Sequence, residues 1–389
     1  MRSFAILSLV ASIIGSVSAS PVSSVRAISN ARTSAPAGAV VVDQSGATAG
    51  SYKTFQAGVD ALSKTTTDAQ YLFVAPGNYF EQVYLPSLAG NLTIQGYTTD
   101  ASTYENNEAI LSYNLALVNT TSDDLTATFR AHNTNTKVYN LVIKNTFGHI
   151  NQDGQNLALS SYASNVGFYA TQFWGFQDTV LAEAGYQLYA KCLIVGAIDF
   201  IFGEKALAWF EKNDIRTISS GAITASGRAS DSVDSWYVIN NSNIARLNSS
   251  IPAGQNTLGR PWRDYARAVF QNSYLGDNIK AAGWEQWSTS TANTDHVTFG
   301  EYNNYGPGAS GTRASFASKL SSAVEITTVL GVDYTREFYY DASYITGSLI
   351  SCKYFLFCGA KLEGVGLGVH TFLQCIYIFI TNVIEFQDF

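Results

Sequence analysis

One loose hexad recurs through the middle of this chain and limits what the chain can fold into. It is apolar at both ends and carries four mostly small or polar residues between them. The copies are VIKNTF from Val142, FYATQF from Phe168, LYAKCL from Leu188, FEKNDI from Phe210, INNSNI from Ile239 and FQNSYL from Phe270. Their starts lie 26, 20, 22, 29 and 31 residues apart. Such spacing suits a solenoid whose coils stack on one another while the connecting loops vary in length. The hexad is permissive, and alone it fits a β-sandwich as well as a parallel β-helix; both are all-β. From about Ala39 to Tyr305 the text is β-like throughout, with short apolar runs set between Gly, Asn, Asp and Ser. Helical periodicity is confined to residues 54–64, where Phe55, Val59 and Leu62 share a face.

The chain has 389 residues, 46% of them hydrophobic and 14% charged, which describes an ordered globular protein. A net charge of −7 argues against a nucleic-acid partner, because phosphate binding needs a basic face. It leaves room for a polymer held through aromatic rings and hydrogen bonds. Residues 1–19 read as a secretory signal peptide, with Arg2, an apolar core over 4–14 and the small-residue site Val17-Ser18-Ala19. The apolar core is too short to span a membrane, so a secreted, extracellular protein with no membrane partner is expected. Residues 20–38 read as a loose mature N-terminus. Sequons at Asn91, Asn119, Asn240 and Asn248 fit export through a glycosylating pathway. Of four cysteines only Cys192 lies in the body, so no disulfide framework holds the core, and Cys192 is expected to be a small buried apolar residue. The four histidines are scattered, and no Cys/His cluster has zinc spacing. A monomer is the default.

Residues 173–203 hold two aspartates, Asp178 and Asp199, 21 residues apart among Trp174, Phe176, Phe200, Ile201 and Phe202. If each hexad marks a coil, Asp178 lies 10 residues after the start of its hexad, Asp199 lies 11 after its own, and Gln155 lies 13 after the one before. The three would then share one longitudinal face, on coils roughly 4.8 Å apart. Two such carboxyls can act together on one small group. They can equally be turn aspartates at coil corners, and the spacing does not choose between these roles.

Five motifs in order bear on the choice: GNYFE at 77–81, QNLAL at 155–159, GFQDTV at 175–180, DFIFG at 199–203 and LGRPW at 258–262. Together they resemble the pectin methylesterases, in particular the secreted microbial type without an inhibitor-like pro-region. The resemblance implies a right-handed parallel β-helix, a single-stranded solenoid expected here over residues 39–345. It also implies hydrolysis of the C6 methyl esters of galacturonate units in pectin (homogalacturonan), without metal or cofactor. By resemblance Asp199 is the nucleophile, and Asp178 is the general acid and then the base. Arg260 keeps Asp199 ionised, Gln155 and Gln177 donate to the oxyanion, and Trp262 and Phe202 bind the sugar. Trp287, Tyr162 and Trp174 are weaker candidates for sugar binding. Within GNYFE, Tyr79 and Glu81 are expected to fix a turn and a coil contact, and His132 and His149 to bond locally.

The chemistry is consistent with these assignments. Ester hydrolysis needs a nucleophile, a proton donor and oxyanion donors, and no Gly-x-Ser-x-Gly elbow is present. Two carboxyls serve if their pKa values are pushed apart. Two carboxyls also serve a glycosidase, but beyond Asn293-Thr294-Asp295 the companion motifs of the polygalacturonases are missing. Two departures from the family pattern stand near the site: Val180 where Leu is usual, and Glu204 where a small or amide residue is usual. Residues 346–389 have no counterpart in the pattern; they hold three of the four cysteines and read as a non-native ending.

Overall fold

In the computed structural model, residues 31–346 are described. The signal-peptide reading over 1–19 and the atypical ending over 347–389 lie outside the described residues. Among the described residues, parallel strands build three long sheets of eleven, seven and eight strands. Each of the seven complete coils contributes one strand to each sheet, and the terminal ones add only to the eleven- or eight-stranded sheet. Val166–Tyr169 lies in the eleven-stranded sheet, Gln172–Trp174 in the eight-stranded one and Val180–Ala182 in the seven-stranded one. The next coil repeats this with Ala184–Ala190, Leu193–Gly196 and Ile201–Gly203. This is the parallel β-helix.

The hexads mark the corner between the eleven- and eight-stranded sheets, with two slips. Phe168 pairs with Val138 and Tyr189, and Tyr189 continues to Phe210, Ile239 and Phe270. The repeating unit therefore starts at Val138 rather than Val142, and at Tyr189 rather than Leu188. A pattern defined only by apolar ends cannot register a one-residue shift, whereas a strand can, because the shift turns every side chain to the other face. Tyr189 points into the solenoid and Leu188 out of it, into a second apolar cluster. Inside, Phe168, Tyr189 and Phe210 stack ring on ring with centroids 5.0 and 4.5 Å apart. Each buried ring contributes roughly 1.5–3 kcal/mol. Cys192 is fully buried, as expected, and burial pushes its thiol up to about 12.

The third residue of each registered unit explains the polar middle of the hexad. Asn140, Ala170, Lys191, Lys212, Asn241 and Asn272 all have φ between +46° and +55°. A left-handed residue turns the corner there, and Asn tolerates that conformation best after Gly. Asn272 Nδ2 donates to Asn240 Oδ1 and Asn303 Nδ2 to Asn272 Oδ1, both at 3.0 Å, so amides ladder along this edge.

The helix expected near residue 54 is present but short, Phe55–Asp60, with Phe55, Val59 and Leu62 buried. Glu81 holds its N-terminus by accepting from Phe55 and Gln56 N–H at 2.7 and 2.9 Å, and the Tyr79 hydroxyl bonds to Ala75 O at 3.1 Å. Both residues of GNYFE thus fix coil contacts. At the N-terminal edge, in the stretch read as loose, Arg32 bonds with Thr98 through backbone N–H groups and stacks over the Tyr139 ring at 4.4 Å. The segment around Tyr339 and Tyr344 docks against the outside of the eleven-stranded sheet, with both rings fully buried. Of the four sequons, Asn119 and Asn248 are exposed and Asn91 is half-buried. Asn240 is buried, with its amide engaged by Glu211, Gln271 and Asn272.

Candidate active site

The site sits where the eight-stranded sheet turns into the seven-stranded one. Gly175-Phe-Gln-Asp178 and Gly196-Ala-Ile-Asp199 make the same tight corner on successive coils. A Cβ on Gly175 would lie 2.7 Å from the Thr179 hydroxyl, and one on Gly196 would lie 2.3 Å from Phe200 Cβ. Only glycine fits so close a bend. Asp178 and Asp199 follow with φ of +63° and +51°, a left-handed state that costs about 1–2 kcal/mol and that Asp tolerates better than most residues. Both aspartates therefore shape a corner, the role weighed against a catalytic one. Gln177 bridges Ile198 in parallel register, so Asp178 stands level with Asp199, one coil away. Measured from the registered units at Phe168 and Tyr189, each lies 10 residues in.

The two carboxyls have unequal surroundings. Asp199 is nearly buried and takes a forked bond from Arg260, with Nε to Oδ1 at 2.9 Å and Nη2 to Oδ2 at 2.7 Å. Asp178 is also nearly buried, and among the described residues its carboxyl has no hydrogen-bond partner. Desolvation drives Asp178 well above the usual carboxylate range. The negative charges of Asp199 and then Asp123 add to this, and Arg260 only partly opposes it. Desolvation also raises Asp199, but the Arg260 bonds offset much of that. Asp199 is thus the first of the pair to ionise, and its charge keeps the proton on Asp178.

Arg260 is itself braced. Its guanidinium lies 4.3 Å from the Trp287 ring centroid, and Asp199 raises its pKa against the pull of desolvation. The two glutamines lie near one another in the chain's path through this corner. A Cβ on Gly154 would lie 3.4 Å from Gln177 Oε1, which brings the Gln177 amide over the residue before Gln155. Neither side-chain amide has a protein partner among the described residues, and Gln155 Oε1 is buried without one. The Asn156 N–H donates to Gln177 O at 3.0 Å, as the Asp178 N–H does to Ile198 O, so Gln155 stands one residue off the row that holds Asp178 and Asp199. Asn156 Oδ1 accepts from the Phe176 and Gln177 N–H groups at 3.3 and 3.0 Å and holds the corner.

On the seven-stranded sheet, apart from the main core, lies a small apolar cluster of Ala127, Leu157, Leu181, Phe202 and Ala225, with Trp262 and Trp287 packed on it. Phe202 is almost fully buried and touches Trp262, ring centroids 6.2 Å apart, so it supports the tryptophan more than it faces solvent. Tyr162 is exposed on the same sheet, whereas Trp174 belongs to the eight-stranded sheet, with Lys144 over its ring. His132 bonds locally, Nε2 to Asp124 Oδ1 at 2.9 Å, and His149 packs on Phe176. Sequence reasoning missed Asn156 and Asp123 as neighbours of the pair, and the contact of Trp287 with Arg260. The repeated Gly-x-x-Asp at 21 residues was the legible signal for the corner. Among the described residues no cluster of His, Cys, Asp or Glu has the form of a metal site.

Known proteins resemble this chain over most of its length. The family model for pectinesterase matches residues 39–331. A pectinesterase of Aspergillus niger is 47% identical over 334 residues, covering 85% of this chain and 99% of the relative. One of Aspergillus aculeatus is 47% identical with the same coverage. The crystal structure of the Aspergillus niger pectin methylesterase, with an N-acetylglucosamine stub on an asparagine, superposes with a TM-score of 0.74 at 38% identity, covering 81% of this chain and all of that one.

Proposed function

The chain belongs to the pectinesterase family and is a carboxylic ester hydrolase, and from that premise we propose that it hydrolyses the C6 methyl esters of homogalacturonan through the Asp178–Asp199 pair. The observation that carries this is the unequal pair: one buried carboxylate forked by Arg260 and one buried carboxyl, level with it on the next coil, with no protein partner.

An Oδ of Asp199 attacks the C6 carbonyl carbon. The carbonyl oxygen becomes an oxyanion that accepts from the Gln155 and Gln177 amides. These amides are neutral, so they favour the developing charge without quenching the nucleophile. As the intermediate collapses, the bond to the methoxyl oxygen breaks and Asp178 gives that oxygen its proton, releasing methanol. The sugar is left as an anhydride on Asp199. Asp178, now a carboxylate, takes a proton from water while the hydroxide adds to the C6 carbonyl. Asp199 departs as a carboxylate, and the sugar leaves as the free C6 acid, which gives its proton to solvent and becomes galacturonate. Both carboxyls return to their starting states. Trp262, resting on Phe202, flanks the sugar.

The sequence features of residues 1–19 and the exposed sequons support action outside the cell on plant cell-wall pectin, by a glycoprotein. The glycan stub on the Aspergillus niger enzyme supports the glycoprotein reading. Among the described residues no helix is long and apolar enough to cross a membrane. The test is methanol release from methylated pectin by the native chain and by Asp199→Asn and Asp178→Asn. Both variants should fall by at least about 10²-fold, the usual scale for removing a nucleophile or a general acid. Undiminished release from either variant removes that aspartate from the mechanism.

A further inference from the structure

The family pattern leaves Glu204 unexplained, and the structure gives it a specific setting. Along the outer face of the seven-stranded sheet, residue positions continue from coil to coil. Ala182 is followed by Glu183 and Gly203 by Glu204, which stand level because Ala184 pairs with Lys205. Gly203 pairs with Ser226 and Ser226 with Pro261, so Glu204, Gly227 and Trp262 form the next steps of the same row. Gly227 is bare for a reason. A Cβ there would lie 2.5 Å from the Trp262 ring and 3.0 Å from Glu204 Cγ. The stem of Glu204 and the ring of Trp262 thus close over one glycine, and the Glu204 carboxyl borders the tryptophan.

The two cations on this wall are both taken. Arg263 Nη2 lies 3.0 Å from Glu204 Oε1, with the guanidinium 5.5 Å from the Trp262 ring centroid. Lys205 Nζ lies 3.8 Å from Glu183 Oε1. The Glu204 N–H, which would otherwise greet an anion, donates to Glu183 Oε2 at 3.1 Å. Beside the tryptophan, then, a methyl ester meets a neutral, partly apolar wall. A free carboxylate would shed water and gain no unpaired cation, while facing two carboxylates; uncompensated desolvation of a charge is costly.

We propose that Glu204, by holding Arg263 in an ion pair beside Trp262, makes the enzyme favour a methyl-esterified galacturonate over a free-acid one at the unit next to the scissile ester. The inference rests on the pectin-ester reading above.

The test compares methanol-release kcat/KM on highly and sparsely methylated pectin. Glu204→Gln keeps the shape, removes the charge and frees Arg263 to meet a substrate carboxylate. The ratio of sparse to high should rise about tenfold, the scale of one charge-assisted bond. Glu204→Gln combined with Arg263→Ala should return the ratio to that of the native chain. Arg263→Ala alone, which leaves Glu204 unpaired, should shift the ratio further against sparse pectin and serves if Glu204→Gln does not fold. An unchanged ratio in Glu204→Gln, a gain that survives in the double variant, or a gain in Arg263→Ala overturns the proposal. Failure of the native chain to release methanol from any pectin would instead overturn the parent reading.

Discussion

Replacing Arg260 with Gln should move the acid side of the activity profile rather than scale the whole profile down. The guanidinium makes a forked bond to Asp199, at 2.9 and 2.7 Å. Breaking a fully buried pair by removing one partner costs about 3–5 kcal/mol. The Arg260 side chain is 25% exposed and that of Asp199 only 6%, so water partly replaces the lost bonds and about 2–3 kcal/mol is expected. At 1.36 kcal/mol per tenfold step, this is about two pH units. The sign follows from the chemistry. Without the guanidinium the charged form of Asp199 is less favoured and its pKa rises. Asp199 must be charged to attack, so the acid limb of kcat/KM for methanol release moves to higher pH, by about two units, and activity recovers substantially above it. Arg260→Lys keeps the charge but offers a single donor, and its limb should fall between the two. A uniform loss at every pH with an unmoved limb would refute the reasoning, because it would mean that Arg260 acts on the transition state and not on the ionisation of Asp199.

Three further outcomes follow from the same geometry. Asp178→Asn should be more stable than the native chain at neutral pH. The native pKa of Asp178 is raised above its unfolded value, so its stability contribution is intact below the ordinary carboxylate range and is lost as pH rises through the native pKa. Urea midpoints should coincide at low pH and separate as pH rises, and parallel curves at all pH would contradict the burial argument. Gly227→Ala should push the Trp262 ring aside, because the new methyl group falls 2.5 Å from it; KM for pectin should rise about threefold to tenfold while the thermal midpoint stays nearly unchanged, since the partly exposed ring can move. Glycopeptide mass spectrometry of the folded, secreted protein should find no glycan on Asn240, whose amide is engaged inside the fold.

Much of this was legible in the sequence, and what was not had physical causes. The solenoid showed through because every coil must bury an apolar strand end, turn a corner and bury another. The register did not show, since LYAKCL and the same text read one residue later both satisfy an apolar-ended pattern; only the inward direction of Tyr189 decides it. Asp178 and Asp199 were legible as a pair because their separation equals one coil when no loop intervenes. Gln155 was harder: residues 146–156 lengthen its coil, so counting from a hexad put it on the wrong row. Trp287 was ranked low because nothing in its local text links it to Arg260; a loop from a later coil brings the two together. Glu204 was visible as a departure, but its partner Arg263 lies 59 residues away and their contact exists only once coils stack.

The claim at the centre of this account is that Asp199 bonds covalently to the substrate. Rapid quenching of the enzyme during turnover of a methylated oligogalacturonide, followed by peptide mass mapping, tests it directly. The prediction is an acyl adduct of the de-methylated sugar on the peptide carrying Asp199, absent from Asp199→Asn. An adduct on any other residue, or full methanol release by Asp199→Asn with no adduct, would contradict it.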